Sequence, residues 1–213
     1  MNWFSVVNQN PGIIDLSNLP KNFEVKFSHA IITEGNYFKG LMQAEDLKLS
    51  TPKRLAKDLP LYAEYFFASE YHTLLDVFSL FLKHESNILP VVDDKNLLIG
   101  SLEFEAILDL FNETEFVSHE TDSLLLKKST ADFSYAEISQ ILESLNAQIL
   151  GMFTCEINNN TIEFLIKLKH QGLNEILQTL RRYDYEILSK HEDDAYSDSL
   201  KDRSNYLTKF LNI

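Results

Sequence analysis

Six histidines, one cysteine and 32 acidic side chains are the main groups in this 213-residue chain that could do chemistry, and their spacing decides which kind. A hydrolytic metal site needs ligands clustered on one helix or loop, as in HExxH. His29, His72, His84, His119, His170 and His191 are instead scattered singly. Cys155 lies in an apolar stretch without metal-ligand spacing and reads as a small buried side chain rather than a nucleophile. A single cysteine also rules out an intramolecular disulfide and fits a reducing compartment. There is no GxSxG elbow, no P-loop and no Rossmann glycine pattern. Glu103 and Glu105 alternate, whereas two carboxylates sharing a helical face need i,i+4 spacing. Glu192, Asp193 and Asp194 read as a solvated loop. In Asp132-Phe133-Ser134-Tyr135, Asp132 or Ser134 is placed to cap a following helix. These residues supply no catalytic constellation, no metal site and no cofactor site, so a non-enzyme is expected.

The elements that carry these residues include a unit written twice. Ser86 to Ala106 reads SNILPVVDDKNLLIGSLEFEA: an apolar run, a polar turn, a second apolar run, a glycine and a helical pattern. Ser28 to Asp46, SHAIITEGNYFKGLMQAED, has the same order. Gly40 aligns with Gly100, and the second copy carries two extra turn residues. Neither copy can bury its apolar face alone, so the two are expected to pack on each other. Strands are expected at 30–33, 36–38, 88–92 and 97–99, with helices after each glycine at 41–47 and 101–112. Leu102, Ile107, Leu108 and Phe111 are available to one face of the second of these. Thr73 can cap a helix over 74–82. Asn10-Pro11-Gly12 and Asn18-Leu19-Pro20 break the chain before the first copy, which leaves little room for a preceding helix there.

From 121 onward the pattern changes. Strands at 123–128, 147–157, 161–168 and 185–189 alternate with amphipathic helices at 135–145 and 173–183, giving the order βαββαβ, the split-βαβ or ferredoxin-like arrangement. The tail 192–213 is expected to form a helix that docks through Leu200, Leu207 and Leu211.

Composition bounds the partners. The net charge of −13 argues against nucleic acid and anionic membrane surfaces, both of which call for clustered Lys and Arg. The apolar fraction of 45% supports a real core. MNWFSVVNQNPG lacks the basic and long apolar regions of a signal peptide, and no run approaches the ~18 apolar residues of a membrane span. A cytoplasmic protein is expected.

The strand–turn–strand–glycine–helix unit resembles the core of a cystathionine-β-synthase (CBS) domain, which works in pairs, and TADFSYAEISQILESLNAQILGMFT resembles an ACT domain. The whole resembles the architecture of acetoin-utilisation protein B. Segments such as FFASEYHTLLDVFSLFLKHESNILPVVDDKNLLIG, LFNETEF and GLNEILQTLRRYDYEI resemble an uncharacterised CBS-domain family of the Bacteroidetes. The resemblance implies an α+β chain: a CBS pair over 1–117 with halves of about 1–58 and 59–117, the first shortened, then an ACT-like domain over 121–191 and a helical tail. It implies a regulatory or interaction protein, a homodimer, with a small-molecule sensor binding an adenosine nucleotide or amino acid as the alternative. The ligand-binding positions it offers are His29, Gly40, Gln43, Asp46, Asn87 and Gly100. In nucleotide-binding CBS domains a Thr or Ser follows the glycine and an Asp comes three positions later. Here the first copy has Gln43 and Asp46, and the second has Glu103 and Ala106, which removes both polar handles. The ACT-like loop likewise lacks the glycine usual in amino-acid-binding members.

Overall fold

The fold is described from a computed structural model, which defines residues 2–9, 12–19, 25–51, 54–117, 121–192, 194, 203, 206, 210 and 211. Contacts divide the chain into two units, 1–113 and 114–213.

The first unit opens with a 3₁₀ turn, Trp3–Val6, and β1, Ile13–Asp15, which pairs in parallel with β2, His29–Glu34. A turn at Gly35 leads into β3, Tyr37–Gln43, and then α1, Ala44–Leu49. Next come α2, Leu55–Tyr62, and α3, Leu74–Lys83, whose Thr73–Asp76 capping box is complete, as Thr73 was expected to provide. The second copy is β4, Ile88–Val92, β5, Leu98–Glu103, and α4, Phe104–Asn112.

The two copies match bond for bond. Ile32 pairs with Gly40 and Val91 with Gly100, and in both hairpins the residue before the glycine, Lys39 or Ile99, is bulged out of register. The first helical amide, of Ala44 or Phe104, donates to the carbonyl of Ser28 or Asn87. At the turn ends the hairpins bind each other reciprocally: Phe38 N donates to Asn96 O and Leu98 N to Asn36 O. Each hairpin also receives a strand-like segment from elsewhere in the unit. Leu41 exchanges both backbone bonds with Glu64, and Ser101 does the same with Asn8. One shared core results, with Ile31, Phe38 and Leu41 packed among Leu89, Val91, Leu102, Trp3, Phe66, Phe81 and Ile107.

Several boundaries differ from the sequence expectation. Both second strands run three residues past the glycine. Leu41, Met42 and Leu102 are fully buried, and such a short run, apolar on both faces, has no periodicity to separate strand from helix. The helix at 101–112 therefore starts at Phe104, and its buried residues are Ile107 and Leu110, while Leu108 is exposed. The second turn is one residue longer, not two: 34–37 separate Thr33 from Phe38, and 93–97 separate Val92 from Leu98. Among the described residues between β1 and β2 there is no helix; residues 20–24 lie outside the described ones.

The second unit contains β6, Asp122–Ser129, α5, Tyr135–Ser144, β7, Gln148–Ile157, β8, Thr161–Lys169, α6, Leu173–Arg182, and β9, Glu186–Ile187. All sheet pairs are antiparallel, in the order β7-β8-β6-β9, so the expected βαββαβ order is present. The inward residues Leu124, Leu126, Phe164 and Ile166 pack against Ile138, Leu142, Ile176 and Leu180 of the two helices. Of the two candidate caps, Ser134 takes the role, accepting from Glu137 N at 3.3 Å. Buried Lys128 donates to Glu137 at 2.7 Å and to Tyr183 O at 3.0 Å, and lies 4.1 Å from the Tyr185 ring centroid. Cys155, expected buried, is exposed: it is the extra residue of a β-bulge, between Thr154, which pairs with Phe164, and Glu156, which pairs with Glu163. The tail helix expected to dock falls largely outside the described residues, Leu200 and Leu207 included; Leu211, also expected to dock, is helical and exposed, as are Tyr206 and Phe210.

Candidate functional site

A cavity of about 470 Å³ lies where the first hairpin begins. Ser28 and His29 lead β2 into it, Gln43, Ala44, Glu45 and Lys48 line it from the start of α1, and Lys83, His84 and Glu85 come from the end of α3. α3 stops there because Glu85 takes a left-handed conformation (φ 49°) that a helix cannot continue through.

Glu64 organises one wall. Its backbone is pinned to Leu41, and its carboxylate accepts a 2.8 Å hydrogen bond from Gln43 Nε2. His29 Nε2 lies 3.4 Å from the same oxygen, and His84 Nδ1 lies 3.8 Å from the other. The His29 contact is within ion-pair range but outside hydrogen-bond geometry. This nitrogen, on a side chain only 2% exposed, therefore has no hydrogen-bond partner. The other ring nitrogen is 2.9 Å from Ser28 Oγ. Phe66 fixes both imidazoles: His84 stacks on it at 3.9 Å, and His29 meets it edge-on at 5.7 Å.

These placements set the charges. Burial pushes the Glu64 carboxyl up, but the Gln43 hydrogen bond and the two imidazoles outweigh it and hold the group below its ordinary value. Burial, helped by the Lys83 ammonium, holds His84 below its ordinary value, with Glu64 opposing. Neutral His84, Lys48 and Lys83 thus line an open cleft with room for a small polar molecule, and ionised Glu64 backs it through Gln43 and the two imidazoles. Among the described residues no group of three or more His, Cys, Asp or Glu is placed to hold a metal ion.

The six positions singled out in the sequence do not converge. His29 and Gln43 line this cleft. Asp46 lines a separate pocket of about 110 Å³ with Ser50, Arg54, Asp58 and Tyr62. Asn87 lines the equivalent place in the second copy, a cavity of about 240 Å³ bounded by Lys26, Phe27, Glu103, Phe104 and Glu105. Asn87 also holds the seam between copies, its Oδ1 accepting from Ser28 N and its N–H donating to Ser28 Oγ. Gly40 and Gly100 are close-approach positions. A Cβ on Gly40 would lie 3.0 Å from Glu64 O, and one on Gly100 2.6 Å from Asn8 O. Glu64, Lys48, Lys83 and His84 were not singled out for this cleft. Nothing local marks Glu64, and only the end of the α3 pattern hinted that Lys83 and His84 sit at a helix terminus.

No protein-family model matches this chain, and no curated protein matches it. Among solved structures, a CBS domain pair/ACT domain protein from Thermotoga maritima is similar over 53% of this chain and 98% of its own, at 21% identity and a TM-score of 0.43. A CBS domain protein from Shewanella oneidensis is similar over 50% of this chain and 94% of its own, at 17% identity and a TM-score of 0.37. A CBS domain pair in complex with 5′-methylthioadenosine and S-adenosyl-L-methionine is similar over 52% of this chain and 99% of its own, at 19% identity and a TM-score of 0.37.

Proposed function

We propose that this chain is a non-catalytic regulatory or interaction protein, built on a degenerate CBS-type pair over residues 1–117 and an ACT-like domain over 121–191, and acting as a cytoplasmic homodimer. The observation that carries the reading is the bond-for-bond equivalence of the two hairpin–helix copies about the Phe38–Asn96 and Leu98–Asn36 bonds, with an open polar cleft at the start of the first copy. The antiparallel β7-β8-β6-β9 sheet supports the ACT-like assignment. No helix among the described residues is long and apolar enough to cross a membrane.

The alternative within this reading, a small-molecule sensor, is favoured by one observation: the wall of the cleft holds His29, a buried imidazole whose Nε2 has only the 3.4 Å contact to Glu64 and no hydrogen bond. Such a group gains a hydrogen bond when a ligand arrives. The ligand is a small metabolite. Adenosine nucleotides bind more weakly than roughly 100 μM, or about −5.5 kcal/mol, because Glu103 and Ala106 occupy the polar positions of the second copy and Asp46 lies outside the main cleft. A thermal-shift screen of nucleotides and amino acids tests this, since a ligand of the native state stabilises it by RT ln(1 + [L]/Kd). A hit lost in His29→Ala supports the sensor. Low-micromolar ATP, ADP or AMP binding refutes the nucleotide statement.

A further inference from the structure

The pseudo-symmetry of the first unit also exposes a difference at the far end of the hairpins. Beside the first turn, Phe38, Tyr65 and Phe67 form a three-ring cluster, with centroids 5.2 to 6.0 Å apart, and Tyr65 OH donates to Asn96 Oδ1 at 2.7 Å. The equivalent positions beside the second turn are Leu98, Gln9 and Ile13, all smaller or non-aromatic. There the space is open, as a cavity of about 290 Å³ lined by these three with Asp15, Thr33 and Asn36.

Two groups in this cavity call for a ligand. Thr33 is 2% exposed and its Oγ1 has no hydrogen-bond partner, an arrangement that is unfavourable when left unfilled. Asp15 is the parallel-strand partner of Thr33, so both side chains leave the sheet on the same face. Its Oδ1 accepts from Ser17 N and Gly35 N, which hold the carboxyl below its ordinary value. The Gly35 amide is thereby already used, and among the described residues no Lys or Arg lines the cavity, so none of them favours an anion. At ~30 Å³ per water the space admits roughly ten waters, or a molecule of similar size.

We propose that this cavity is a binding site for a small protonated amine, its ammonium group seated between the Asp15 carboxylate and the Thr33 hydroxyl. The site is distinct from the His29 cleft and stands independently of the function proposed above.

The test titrates the full chain with ethanolamine at constant ionic strength, followed by calorimetry, with sodium acetate as the anionic control. The expected result is saturable ethanolamine binding in the millimolar range and none for acetate. Thr33→Val and Asp15→Asn should each weaken it by about tenfold or more, and Thr33→Ser should restore it. Leu98→Phe, which places in the cavity the ring that the other copy carries, should abolish it. Trp3 fluorescence reports whether each variant is folded. Absence of saturable ethanolamine binding to the wild-type chain, or binding unchanged in folded Asp15→Asn and Leu98→Phe, overturns the proposal.

Discussion

Replacing Gly100 by alanine tests the crossing of the N-terminal segment over the second hairpin. The added Cβ would lie 2.6 Å from Asn8 O and 2.6 Å from Val7 Cγ1, almost 1 Å inside the ~3.5 Å optimum. The Asn8 backbone cannot retreat freely, because its N–H and carbonyl each bond Ser101 at 2.8 Å. Losing those two bonds costs about 1 kcal/mol each, and overpacking adds about 1–3 kcal/mol. The stiffer unfolded chain returns up to ~1 kcal/mol. The net is a loss of about 2–5 kcal/mol, equivalent to roughly 8–20 °C in the melting point of a unit of this size. The assay is intrinsic fluorescence in urea. Trp3, the only tryptophan, is 5% exposed and lies in the same segment, so its emission follows this unit. Gly172→Ala is the control: its Cβ meets nothing within 4 Å, and alanine at a helix N-cap costs less than about 1 kcal/mol relative to glycine. A Gly100→Ala midpoint no lower than that of Gly172→Ala would refute the crossing.

Acid should weaken the first unit in two stages. His84 is held below its ordinary value of 6.5, so the unfolded chain takes up this proton first and stability declines as pH falls through about 6.5. Glu64, held below its ordinary 4.5, contributes above that pH and loses its contribution as pH falls through its lower folded value. Trp3-detected melting from pH 8 to 5 should show the first decline in wild type, flattened in His84→Gln; an unchanged slope in the variant counts against it. In the second unit, Lys128→Ala removes a 7% exposed ammonium from Glu137 and Tyr183 O and should cost about 1–3 kcal/mol by chemical denaturation, between the values for exposed and buried pairs. Light scattering at micromolar concentration should give a dimer of the 24.6 kDa chain, and a monomer mass would remove the homodimer from the functional proposal.

Much of the fold was readable because the repeat fixed it twice. The glycines, the turns and the capping box at Thr73 each carry a local signal, and so does the alternation in β6 and β8, where every second residue is buried. Strand ends past Gly40 and Gly100 were not readable, because they are stabilised by partners far along the chain, Glu64 and Asn8, that no local pattern announces. The cleft failed for the same reason. His29 and Gln43 could be named from the repeat, but Glu64 joins them only through its backbone bridge to Leu41, and His84 only through its stacking on Phe66. Cys155 was misread because it is the unpaired residue of a bulge in β7, which an apolar run of sequence does not announce.

The exchanged segments bear on how the chain acquires its structure during synthesis. The first hairpin is completed by Glu64, but the second needs Asn8, which leaves the ribosome long before Ser101. Until residue 101 is available, the N-terminal strip carrying Trp3, Phe4 and Val7 has no hairpin to bind, and its apolar side chains stay exposed. Closing so long a loop is entropically costly and slow compared with local pairing. The nascent chain therefore passes through a stage in which residues 3–8 wait for the second hairpin of their own unit, and in that interval a chaperone, or another copy's unfilled hairpin, competes for them.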